Sequence, residues 1–139
     1  MNKFPILLLL VAASLMACQP KPKDTSASTA PIEVKAEYPK LVEFPSVDSV
    51  MITGNLNQID DTSPFILLCH QARFNKFEYA GTAERLNKMG FNCLAIDQRS
   101  GGPIGDTQNE TYLRALKQGK GVDYVDAEVD IVAALNYIK

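Results

Sequence analysis

Two short apolar runs, Phe65-Ile66-Leu67-Leu68-Cys69 and Phe91-Asn92-Cys93-Leu94-Ala95-Ile96, lie on either side of a segment with helical spacing. This arrangement constrains the fold more than any other feature of the chain. A strand that is apolar without alternation is buried on both faces, as a parallel strand covered by helices must be. Between the runs, Tyr79, Ala83, Leu86 and Met89 share one helical face over residues 77–89, and Gly90 supplies a natural stop. A strand, helix, strand unit of this length implies a right-handed crossover and a parallel sheet.

The flanking segments extend the pattern. Residues 41–44 and 50–56 read as strands joined by the turn-prone Pro45-Ser46-Val47-Asp48-Ser49, an opening hairpin. Loop residues 60–64 lead into the first apolar run. From Gln98 to Gly121 the chain is polar, and five glycines there mark loops around a short helix near residues 110–117. The final segment places Tyr124, Ala127, Ile131, Leu135 and Ile138 on one helical stripe. Asp123 is its expected cap, and Asp126, Glu128 and Asp130 form a solvated acidic face in its first half, where the helix dipole favours them. The βαβα alternation assigns the class as α/β.

Residues 1–18 have the three-part layout of an export signal, with Lys3 at the start, an apolar centre over residues 6–13 and small residues after it. The apolar run is too short to span a bilayer. Its end, Leu15-Met16-Ala17-Cys18, resembles the lipobox of bacterial lipoproteins, against the alternatives of an ordinary signal peptide or a short membrane anchor. The resemblance implies removal of residues 1–17 and lipidation of Cys18, so that the partner is membrane lipid. Each buried methylene adds about 0.8 kcal/mol of membrane affinity, and several acyl chains anchor firmly. Residues 18–40, rich in Pro, Lys, Ser, Thr and Ala, read as a flexible tether, and residues 41–139 as the folded domain. Gln19 after the cysteine is what the lipoprotein pattern associates with the outer membrane, where a cell has one.

Of 14 basic and 16 acidic residues only Lys3 precedes Cys18, which leaves 13 against 16 and a net charge of −3 on the mature chain. That balance argues against a nucleic-acid partner. One histidine and no paired cysteine spacing argue against zinc, and no cofactor is expected. Cys69 and Cys93, in an exported chain, require a test as a disulfide. If the two strands run parallel with His70 and Asp97 level, Cys69 lies opposite Ile96 and Cys93 opposite Ile66. An offset of three residues, about 10 Å at the usual strand rise, is too long for a disulfide. Two free thiols are therefore expected.

Three motifs carry a second resemblance. Residues 65–72, ending Cys69-His70-Gln71-Ala72, resemble the third strand of α/β-hydrolases and the loop after it, where His-Gly-x commonly stands. Asp97-Gln98-Arg99-Ser100-Gly101-Gly102 resembles the Asp-x-Arg-Gly-x-Gly end of the next strand, and residues 126–135 resemble the helix that leads to the nucleophile strand. The match covers residues 50–139 and is nearest the dienelactone-hydrolase-like group of bacterial esterases. It implies a partial α/β-hydrolase fold, the N-terminal part only, with nucleophile, acid and base all beyond Lys139, and no activity in the chain as it stands. In this family the loop after the third strand gives one backbone N–H to the oxyanion hole. The matching position is Ala72, with Gln71 second, and such a donor contributes about 3 to 4 kcal/mol to transition-state stabilisation. Where the family has glycine, Gln71 restricts the backbone.

His70 is read as shaping this loop, because the family's catalytic histidine comes last in the chain. A Cys69–His70 dyad is disfavoured because neighbouring strand residues point to opposite faces. Ser100 lacks the glycine two before it that a nucleophile elbow requires. Asp97 and Arg99 read as a loop-fixing pair. The implied activity is cleavage of a small-molecule ester or similar acyl bond by a serine nucleophile in the full-length form. The alternative is a non-catalytic lipoprotein module, or a half-domain that needs a partner chain. Physics disfavours the alternative: in the family's fold the 65–68 strand pairs with a strand beyond Lys139, so alone it is expected to present an apolar open edge, which dimerisation or a partner chain would have to cover.

Overall fold

A computed structural model describes residues 39–139. The segments expected to be an export signal, a lipobox ending at Cys18 and a tether lie, up to residue 38, outside the described residues. The first strand, β1 (Lys40–Pro45), pairs antiparallel with β2 (Met51–Asn57) across the expected turn, where Ser49 takes a left-handed φ of 71°. Then come β3 (Phe65–Cys69), α1 (Ala80–Lys88), β4 (Asn92–Ile96), α2 (Glu110–Lys117), a 3-10 turn (Tyr124–Ala127) and α3 (Glu128–Tyr137). The sheet order is β1-β2-β4-β3, with β2 and β4 antiparallel and β3 and β4 parallel. Among the described residues the fold is mixed α/β with four strands and three α-helices.

Register fixes which side chains share a face. Leu94 and Ile96 of β4 lie level with Leu67 and Cys69 of β3 and with Leu56 and Gly54 of β2. That face carries the core of Val42, Phe44, Ile52, Leu56, Leu94 and Ile96, onto which α3 packs Ala133, Ala134 and Ile138. Tyr137 stacks on Phe44 with ring centroids 4.5 Å apart. The opposite face is covered by α1 over β4 and α2 over β2. A sheet between two helical layers explains why β4 is buried at every position.

The pairing of Cys69 with Ile96 and of Ile66 with Cys93 is the register expected from the sequence. The two thiols are three residues out of step and, by the alternation of strand side chains, on opposite faces. Both are free, and burial pushes both thiols up. β3 is the edge strand, half-buried throughout, and its outer side has no strand partner among the described residues.

Three local expectations need correction. Residues 77–79 form a turn and α1 begins only at Ala80, because Asn75 and Lys76 are drawn into the sheet end; Met89 of its expected face is 69% exposed. The last helix is not one continuous stripe: Tyr124 is 69% and Leu135 43% exposed, while Ala127, Asp130 and Ala134 face inward. The 3-10 turn advances by three residues per turn and not 3.6, which rotates the helix that follows. The acidic face is therefore not solvated throughout, since Asp130 is fully buried.

Candidate functional site

Parallel β3 and β4 end level at Cys69 and Ile96, so the loops that follow them leave the same edge of the sheet. In open α/β sheets this carboxyl edge is where ligands bind. The two loops, α2 and the segment before α3 enclose a cleft of about 530 Å³, lined by Ala72, Arg73, Ser100, Gly101, Tyr112, Val122, Asp123 and Tyr124.

His70, 7% exposed, is a strut beneath one wall. The Gln98 N–H donates to its Nε2 at 2.8 Å, and a backbone N–H can only donate, so the proton of the neutral ring sits on Nδ1. Nδ1 then donates to the Gln71 carbonyl at 2.8 Å, and the same carbonyl accepts from the Phe74 N–H at 3.2 Å. Gln71 C=O and Ala72 N–H belong to one trans peptide, in which they point in opposite directions. Two donors that hold the carbonyl inward thus turn the Ala72 N–H outward. It has no acceptor among the described residues, and Ala72 lines the cleft. The Gln71 N–H, in contrast, donates to the Glu78 carboxylate at 2.8 Å.

The backbone freedom that a glycine at 71 would give is needed two residues later. Arg73 takes the left-handed φ of 64°, in a turn closed by Phe74 N–H to Gln71, and its own N–H donates to the Ser100 carbonyl at 3.3 Å. A non-glycine residue in this region costs on the order of 1 kcal/mol. The loop after β3 and the loop after β4 are therefore tied together at Arg73 and Ser100.

Asp97 and Arg99 are loop-fixing residues, but they do not pair with each other. Fully buried Asp97 accepts from Lys76 N–H at 2.8 Å, Lys76 Nζ at 3.0 Å and the Glu110 N–H at 3.0 Å. It thereby joins the β3 loop to the N-terminus of α2, where the helix dipole favours a negative charge. Arg99 forks between Asp130 of α3 (Nη2 to Oδ1, 2.7 Å) and Asp48 of the β1–β2 turn (Nη1 to Oδ2, 2.7 Å). The Arg99 bonds hold the Asp48 carboxyl well below the usual carboxylate range, and the Asp48 bonds push the guanidinium up against its burial. Burial pushes the Asp130 carboxyl up, against the pull of the same guanidinium. This explains why Asp130 turns inward.

Asn109 completes the support. Its Oδ1 caps α2 by accepting the Tyr112 N–H at 2.8 Å, while its Nδ2 donates to Gln98 O at 2.9 Å and Phe74 O at 3.2 Å. Gly101 is packed so closely that a Cβ there would strike Asn109 Nδ2 and Phe74 O and come within 2.7 Å of His70 Cε1.

Ala72 and Ser100 line one cleft, while His70 and Gln71 support its wall without lining it. Cys69 lies on the core face of β3, and no sulfur–imidazole bond joins it to His70. The sequence reading missed Asn109, Lys76, Tyr112 and Tyr124. Asn109 was accessible as an Asn directly before a helical segment; Lys76 carries no local signal, because its role depends on Asp97, 21 residues away. Among the described residues no group of three His, Cys, Asp or Glu side chains could hold a metal ion. No protein-family model matches the chain, and no curated protein matches it.

Proposed function

We propose that the chain is an exported lipoprotein, anchored by lipid on Cys18, whose domain is the N-terminal part of an α/β-hydrolase acting on ester or similar acyl bonds through a serine nucleophile. In this reading the Ala72 N–H is one oxyanion donor, and His70 positions it. The carrying observation is the clamped Gln71–Ala72 peptide: its carbonyl is held by His70 and Phe74, and its N–H has no acceptor among the described residues, at a cleft on the carboxyl edge of the sheet. A donor fixed before the reaction needs no reorganisation as charge develops, which is where such groups contribute most. Gln71, whose N–H is taken by Glu78, is the weaker candidate.

The outer edge of β3, which has no strand partner among the described residues, favours a second reading, a non-catalytic half-domain that completes its sheet with a partner chain. The two separate on the native mature protein, extracted from the membranes of its own cells and examined by intact mass and by fluorophosphonate labelling. A lipid-bearing species that labels, well above 15.3 kDa, is expected. A lipid-bearing species near the mass of the short chain that does not label would overturn the hydrolase and leave the half-domain. A species without lipid would overturn the anchor.

A further inference from the structure

The backbone around Ser100 is held at three points in the cleft wall. The Arg99 N–H before it donates to Asp130 at 2.8 Å, the Gly101 N–H after it donates to Gln98 O at 3.0 Å, and its own carbonyl accepts from Arg73. Gly101 has no free space on its inner side, so the Ser100 backbone has little room to shift. Yet the Ser100 hydroxyl makes no hydrogen bond among the described residues, although it is half-buried and lines the cleft. The bond between Arg73 and Ser100 places it beside the turn that carries the unpartnered Ala72 N–H. Arg73, in the same wall, forms no ion pair among the described residues. Asp123 shares the cleft, so its carboxylate opposes any anion there and opposes a dianion about twice as strongly as a monoanion.

We infer that the Ser100 hydroxyl is a second donor to the ligand oxygen that Ala72 binds, so that the cleft takes a singly charged oxyanion, with the Arg73 guanidinium at its rim. The inference rests on the oxyanion reading of Ala72 above. It gives Ser100 a role that needs no base and no elbow: the hydroxyl donates a hydrogen bond and does not attack. A backbone donor, a hydroxyl carried on a held backbone and a nearby cation suit the charge that develops on an acyl oxygen during ester cleavage, and equally a phosphate diester that imitates it.

The test uses dimethyl phosphate as the anion and trimethyl phosphate as its neutral counterpart, titrated into the 15N-labelled chain in detergent and followed by amide shifts. Saturable movement of the Ala72 and Ser100 amides with the anion alone is expected. Ser100→Ala removes a hydroxyl with no internal partner and should leave the fold intact while weakening the anion about tenfold. Ser100→Thr, which keeps the hydroxyl, should retain most of the affinity. Unchanged affinity in Ser100→Ala would overturn the inference and leave the Ala72 reading standing. A response confined to Arg73 would reduce the site to charge attraction at the rim and overturn it as well. Silence at Ala72 would overturn both.

Discussion

Single residues at the carboxyl edge of the sheet act by what they hold, and two of them give measurable consequences. Gly101 lies against Phe74 O, the His70 ring and Asn109, and two of these are anchored from other directions. An added methyl group must displace backbone, so Gly101→Ala is expected to destabilise the domain by about 2 to 3 kcal/mol, the cost of overpacking a well-filled site. The urea midpoint measures it; a shift within error would mean that the loop yields freely. Among the described residues Arg99 is the only side chain that bonds to both Asp48 and Asp130. Arg99→Met leaves fully buried Asp130 without a counter-charge, at a cost of about 3 to 5 kcal/mol. Arg99→Lys should recover only part of this, because a single ammonium cannot fork between two carboxylates. Equal stability of Lys and Arg in the same titration would show that the fork contributes nothing.

At the scale of elements, the sequence was most legible where periodicity and burial reinforce each other. β3, β4 and the short helix α2 lie where their residue patterns place them, and even the relative register of β3 and β4 followed from aligning His70 with Asp97. The last helix was misread because its orientation is not local. Tyr124 and Leu135 are apolar enough to belong inside, but a 3-10 turn shifts the phase, and one ion pair with Arg99, 31 residues earlier, turns Asp130 inward. Cross-strand register also yields a testable consequence for the thiols. Cys69 and Cys93 occupy opposite faces, so oxidation of the folded chain should form no disulfide between them. A thiol reagent should modify half-exposed Cys69 well before fully buried Cys93, which waits for unfolding. Peptide mapping after brief alkylation checks the order, and early labelling of Cys93 would refute the register.

For the whole molecule, the candidate site was legible only in part, because motif residues announce themselves in sequence while their partners do not. His70, Asp97 and Arg99 stood out, yet the residues that give them meaning are Gln98, Lys76, Asn109, Asp48 and Asp130, gathered from both layers and the hairpin turn. The fold is therefore joined across its layers by a polar network as well as by the apolar core, and such a network makes stability depend on pH. In Asp48 the Arg99 bonds lower the folded-state pKa below the unfolded value of about 4. A lowered carboxyl contributes stability that is fully present above the unfolded pKa and is lost as pH falls through the folded one. Asp130 has the opposite sign, since burial raises it, and so cannot supply the acid-side loss. Because Asp48 is partly exposed and screened, its share is no more than about 1 kcal/mol. Urea titrations between pH 7 and pH 3 should show wild-type stability falling below about pH 4. Asp48→Asn should be weaker at pH 7 and flatter through the acid range, with the gap between the two curves narrowing from about pH 4 down to pH 3 without closing. Parallel curves would place the acid sensitivity elsewhere in the molecule and remove Asp48 from the network's energetics.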